Sequence, residues 1–120
     1  MMMGQWRDGF PRVMLALPGL QGPLEVEFIV DTGFEGGLTL PEALIGRLEV
    51  TVQERRSIKL AGGFRQRCYS YEIVLESEDE TRAVEVLTLE GEPLLGNDLW
   101  HDQVLQAENA DGGDILFEPL

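Results

Sequence analysis

With 120 residues, 43% of them apolar and 26% charged, the chain has the length and balance of one globular domain with a buried core rather than of a disordered segment. Its net charge of -13, from 22 acidic and 9 basic side chains, repels phosphate backbones and makes nucleic acid a poor partner. The lone cysteine, Cys68, excludes an internal disulfide framework, and no apolar run approaches the roughly eighteen residues that a membrane span needs.

In chain order, the first element predicted is a strand over residues 12–17. Arg7 and Arg12 ahead of Val13, Met14, Leu15, Ala16 and Leu17 faintly resemble a signal peptide. That run is shorter than the roughly seven to fifteen apolar residues of a true signal, and Pro18 and Gly19 close it. A buried strand, and with it a cytoplasmic location, is the expectation. Turn chemistry at 20–23 leads to a second strand over 24–30. It alternates apolar and acidic side chains as far as Phe28 and then runs apolar through Ile29 and Val30, the signature of a strand that ends buried on both faces.

After the glycine-rich 33–37 comes a short strand at 38–40. The spacing of Thr39 and Glu42, with Pro41 between them, predicts a capped helix over 41–48. Strands over 49–60 and 64–76 flank Gly62 and Gly63, a strong hairpin signal. A polar turn at 77–80, a strand over 81–89, a break at 91–93 and last strands at 103–107 and 115–118 complete the chain. One domain over 1–120 results, all-β, a small barrel or closed sandwich.

The single histidine, His101, and the single cysteine cannot assemble a zinc cluster, and Asp111 to Asp114 lacks the alternating oxygen ligands of a calcium loop. Cys68 lies in an alternating strand and reads as a small buried hydrophobe rather than as a nucleophile paired with His101. Asp31 remains. Placed directly after Phe28, Ile29 and Val30, its carboxylate enters a region of low dielectric. Thr32 adds a hydroxyl for a supporting hydrogen bond and Gly33 permits close backbone approach. Asp-Thr-Gly alone is common enough to be a mere turn.

The wider pattern is more specific. The apolar strand into Asp31-Thr32-Gly33, Leu38-Thr39-Leu40-Pro41, the Gly62-Gly63 hairpin and Leu94-Leu95-Gly96 together resemble the single-domain aspartic proteases of the retropepsin type, over roughly residues 12–118. The small bacterial and archaeal members are the most similar. The resemblance implies a small closed β-barrel with one short helix after the active-site strand and a short helical turn near 97–101. It implies that Asp31 is the catalytic aspartate, that the Thr32 hydroxyl bonds across a dimer axis and that Gly33 completes the loop. Leu94, Leu95 and Gly96 would support that loop from beneath. Gly62 and Gly63, with Phe64, would form the flap over a peptide or protein substrate, and Phe34 would reshape the pocket beside the carboxylate. No cofactor or metal is implied.

Aspartic-protease chemistry needs two carboxylates sharing one proton, and the chain has one such loop. Asp98, in Gly-Asn-Asp-Leu, reads as a helix-start residue. The second carboxylate is then Asp31 of another copy, in a homodimer. A retropepsin-like module that binds peptides or dimerises without cleaving is the competing reading. Five of the nine basic residues (Arg55, Arg56, Lys59, Arg65 and Arg67) fall in the hairpin, and eight acids lie between 72 and 92. Pairing between the two stretches is the expectation; acidic substrates are the alternative.

Overall fold

The computed structural model describes residues 2–60, 62–77 and 79–120; Ala61 of the predicted hairpin tip and Glu78 of the predicted polar turn lie outside them. The described residues form ten strands: β1 (Met3–Arg7), β2 (Phe10–Leu17), β3 (Leu24–Val30), β4 (Leu38–Leu40), β5 (Thr51–Lys59), β6 (Arg65–Glu76), β7 (Thr81–Thr88), β8 (Leu94–Leu95), β9 (Gln103–Ala107) and β10 (Asp114–Pro119). All belong to one sheet in the order β5-β6-β7-β4-β8-β3-β2-β1-β10-β9.

The fold is mainly β, as expected, but the sheet is open and the predicted closed barrel is corrected. Its free edges are β5 and β9. β5 is exposed over almost its whole length, carries Glu54, Arg55, Arg56 and Lys59, and shifts register between Val52 and Glu54. The charges and the bulge disfavour pairing with another edge strand of the same kind. Closure is replaced by curling around one core, in which Phe28, Ile73, Val86, Leu95 and Phe117 from five strands meet. No helix among the described residues is long and apolar enough to cross a membrane.

β1 was not anticipated. It joins β2 through the two-residue turn Asp8-Gly9, with φ of 51° and 81°. Both angles are positive, as the turn that matches strand twist demands, and Asp-Gly is a strong sequence signal for it. The backbones of β1 and β2 lie so close that a Cβ on Gly4 would stand 1.8 Å from the Arg12 carbonyl oxygen.

The helix predicted over 41–48 is only one turn, α1 (Glu42–Ile45), and it has no side-chain cap. Thr39 points elsewhere. It is 2% exposed in β4, and its Oγ1 accepts a hydrogen bond from the Leu94 amide at 2.9 Å. Tertiary pairing took the hydroxyl that the capping spacing had assigned to the helix. Thr39→Val keeps the shape but leaves that amide unpaired, so a loss of about 1–3 kcal/mol is expected in denaturant unfolding. A loss near zero would mean that β8 is held by apolar packing alone.

Candidate active site

The end of β3 is buried because it acquires a neighbour on each side. β2 pairs with it from Leu24 to Ile29, and β8 joins in parallel with Ile29 opposite Leu94 and Val30 opposite Leu95. β8 also pairs antiparallel with β4, setting Leu95 opposite Leu38. A two-residue strand is thereby wedged between the strand before the Asp31 loop and the strand after it. The apolar switch at Ile29-Val30 in the sequence records this position.

Beyond β3 the ladder continues into the loop. The Asp31 amide donates to the Leu95 carbonyl at 3.0 Å, and the Phe34 amide donates to the Asp31 carbonyl at 3.1 Å. Asp31 Oδ1 accepts the Gly33 amide at 2.9 Å, which orients the carboxylate; Oδ2 has no hydrogen-bond partner among the described residues. Asp31 is half-buried, and Thr32 and Gly33 are exposed. Three further amides tie the next segment to the same loop: Gly96 to the Gly37 carbonyl at 2.7 Å, Asn97 to Phe34 at 2.8 Å and Asp98 to Gly36 at 3.2 Å. Asp31, Thr32, Gly33 and Phe34 are therefore brought together with Leu94, Leu95 and Gly96.

Gly96 is obligatory there, since an added Cβ would stand 2.1 Å from the Gly36 carbonyl oxygen and 2.7 Å from the Phe34 ring. The same ring lies against Gly36. Phe34 thus packs over two glycines and covers the junction between loop and support.

One contributor escaped the sequence reading. The Asn97 side-chain amide donates to the Thr32 carbonyl at 2.9 Å, fixing the residue next to the candidate nucleophile activator. No local pattern signals it, because the two residues lie sixty-five positions apart. The helical turn expected near 97–101 is a 3-10 turn, Asn97–Trp100, capped by the Gly96 backbone. Asp98 lies inside its first turn rather than at its cap, and its carboxylate meets Arg82 at 3.1 Å.

Behind β8, Arg12 is buried and holds Glu92 at 2.9 Å and Glu27 at 3.6 Å. The hydrogen bond that Arg12 donates to Glu92 raises the guanidinium pKa above its ordinary value against the opposing cost of burial. Glu92 sits one residue before Pro93, whose carbonyl accepts the Ile29 amide at 2.9 Å, so this ion pair pins the chain as it turns into β8.

Among the described residues, Gly62, Gly63 and Phe64 share no hydrogen bond with this cluster. They form the tip of the β5–β6 hairpin, with φ of 87° and 85° at the two glycines and Phe64 74% exposed. β7 and β4 separate this ribbon from β8 in the sheet, and the tip's backbone bonds, Leu60 to Phe64 and Gly63 to Leu60, are internal. Asp31 lines neither the groove of about 880 Å³ bordered by Leu17, Leu48 and Val74 nor another of about 660 Å³ beside the ribbon.

The ribbon's cations pair less than expected. Arg56 meets Glu85 at 2.6 Å, but among the described residues Arg55, Lys59, Arg65 and Arg67 form no ion pair. Cys68 is buried opposite Arg56, as expected of a small hydrophobe, and burial pushes its thiol pKa up. Slow labelling by a thiol reagent at pH 8 in the native protein, with fast labelling in denaturant, is expected, because the thiolate is the reactive form. Equal rates would place the side chain outside the core.

Among the described residues no three potential metal ligands converge. No protein-family model matches the chain, and no curated protein or solved structure is similar to it at a significant level.

Proposed function

We propose that the chain is one half of an aspartic endopeptidase and that two copies join to place their Asp31 carboxylates side by side. The observation that carries this reading is the Asp31 loop itself. A half-buried carboxylate, oriented by the Gly33 amide and followed by exposed Thr32 and Gly33, is held by four main-chain hydrogen bonds to residues 95–98. A surface turn with no task has little need of so much reinforcement, whereas a catalytic group must be held within fractions of an ångström.

In the pair, like charges a few ångströms apart cannot both ionise cheaply, so one carboxyl keeps its proton. The ionised partner takes a proton from water, and the water oxygen attacks the scissile carbonyl carbon. The protonated partner hydrogen-bonds the carbonyl oxygen and delivers its proton as the tetrahedral intermediate forms. The proton held by the first then passes to the amide nitrogen, the second carboxylate takes back a proton from a hydroxyl of the intermediate as the C=O bond re-forms and the C–N bond breaks, and the dyad is again singly protonated. Asp98, engaged by Arg82, is poorly suited to be the second member.

Incubation with a degenerate peptide library between about pH 4 and 7, the range in which carboxylates titrate, tests the activity, with new termini read by mass spectrometry. Cleavage is expected from a dimeric sample. A dimer in sedimentation with no cleavage at any pH would replace the enzyme by a peptide-binding module.

A further inference from the structure

The β5–β6 ribbon sorts its charges by face. Directly opposed residues in an antiparallel pair share a face, and alternate residues along each strand do too. Arg55 opposes Tyr69, Ser57 opposes Arg67 and Lys59 opposes Arg65, so these six side chains occupy one face. Arg56, Cys68 and Ser70 belong to the other, where Glu85 bonds both Arg56 and Ser70. One face thus carries four cations, one tyrosine and no acid, on a chain whose net charge is -13.

Nothing within the fold accounts for that concentration. Lys59 and Arg65 are like charges placed directly opposite one another, an arrangement that destabilises a sheet. All four cations are exposed; Arg55 lies 5.6 Å from the centre of the Tyr69 ring. Along β6 the same face continues through Tyr71 to Ile73, which is buried in the core. The cationic face is therefore continuous with the core side of the sheet. Arg55, Arg67 and Tyr69 also line the groove of about 660 Å³, which reaches Arg56 and Cys68 of the other face and is bordered by Glu42 and Glu90, which form no ion pair among the described residues. Beside it β5 is an edge strand with unpaired backbone groups, able to accept an extended segment.

We propose that this ribbon face binds an acidic peptide segment in extended form, with carboxylates on Arg55, Arg65, Arg67 and Lys59, and that such segments flank the bonds the Asp31 site cleaves. This rests on the endopeptidase reading for its role, though not for the binding itself. The opposed Lys59 and Arg65 are then a repulsion relieved when an anionic ligand arrives. A peptide fits better than a polyphosphate, because the edge amides recognise another backbone.

The test separates the two ideas by measuring binding and cleavage independently. Fluorescence anisotropy with full-length Asp31→Asn protein, at low salt, compares a labelled Asp/Glu-rich peptide with a neutral peptide and a Lys-rich one. At least about tenfold tighter binding of the acidic peptide is expected, fading towards 1 M salt as the screening length falls to about 3 Å. The double variant Arg65→Gln/Arg67→Gln should lose that preference, while Arg47→Gln, exposed and outside the ribbon, should keep it.

Acidic binding without cleavage by the wild type upholds the ribbon face and refutes the endopeptidase. Cleavage of acidic and neutral peptides at equal kcat/KM and with equal salt dependence upholds the endopeptidase and refutes the ribbon. Equal or tighter binding of an oligonucleotide of matched charge would overturn the choice of a peptide. Loss of self-association in Arg65→Gln/Arg67→Gln would show that a second copy, not a substrate, occupies the face.

Discussion

Asp31→Asn is expected to lower peptide cleavage by about 10³-fold or more while leaving the fold and self-association intact. General acid–base groups each contribute on the order of 10²–10⁴-fold, and in a symmetric pair the substitution removes both at once. An amide neither accepts the proton of the attacking water nor carries one to the carbonyl. Its shape is retained: Asn Oδ1 can still accept the Gly33 amide, which bonds Asp31 Oδ1 at 2.9 Å. Stability should therefore change little, and circular dichroism with sedimentation verifies that before rates are compared. Residual cleavage within tenfold of the wild type would remove Asp31 from the chemistry.

The second large effect concerns the support beneath the loop. In Gly96→Ala the new methyl would meet the Gly36 carbonyl oxygen at 2.1 Å and the Phe34 ring at 2.7 Å, and the first of these is backbone that cannot swing aside. Gly96 also donates its amide to Gly37 at 2.7 Å, so relief by moving the strand breaks the bonds that hold the Asp31 loop. Overpacking of this kind costs about 3 kcal/mol, a fall in Tm on the order of 10 °C for a domain of this size.

Gly46 supplies the control. It closes α1 with φ of -63°, and an added Cβ there meets nothing within 4 Å. Gly46→Ala should shift stability by less than about 0.5 kcal/mol. Equal costs at both positions would show that Gly96 is not a tight junction.

What the sequence made legible, and what it did not, follows from how local each signal is. Strand periodicity placed β2, β3, β6 and β7 nearly to their ends, because alternation is written in consecutive residues. The apolar switch at Ile29-Val30 foretold a strand end buried on both faces, and Leu94-Leu95-Gly96 is the segment that buries it. The misses are non-local. Thr39 carried a capping pattern but was claimed by Leu94, fifty-five positions away. Openness of the sheet depends on whether two edges meet, and no short window holds that information. Asn97 anchors Thr32 across a gap of sixty-five residues, beyond any pattern of spacing. Of the hairpin's cations, alternation in the sequence could have separated Arg56 from Arg55 and Arg67, but only the register with β6 aligned the four on one face.

Wild-type protein mixed with increasing Asp31→Asn protein at fixed wild-type concentration, after time for subunits to exchange, is the most direct measurement of the central claim. If each site needs Asp31 from two chains, mixed pairs are dead, and the fraction of intact pairs varies as the square of the wild-type fraction. Activity per wild-type chain should then fall in direct proportion to that fraction, to about half in an equal mixture. Activity per wild-type chain that stays constant however much variant is added would contradict half-site stoichiometry and place a complete active site within a single chain.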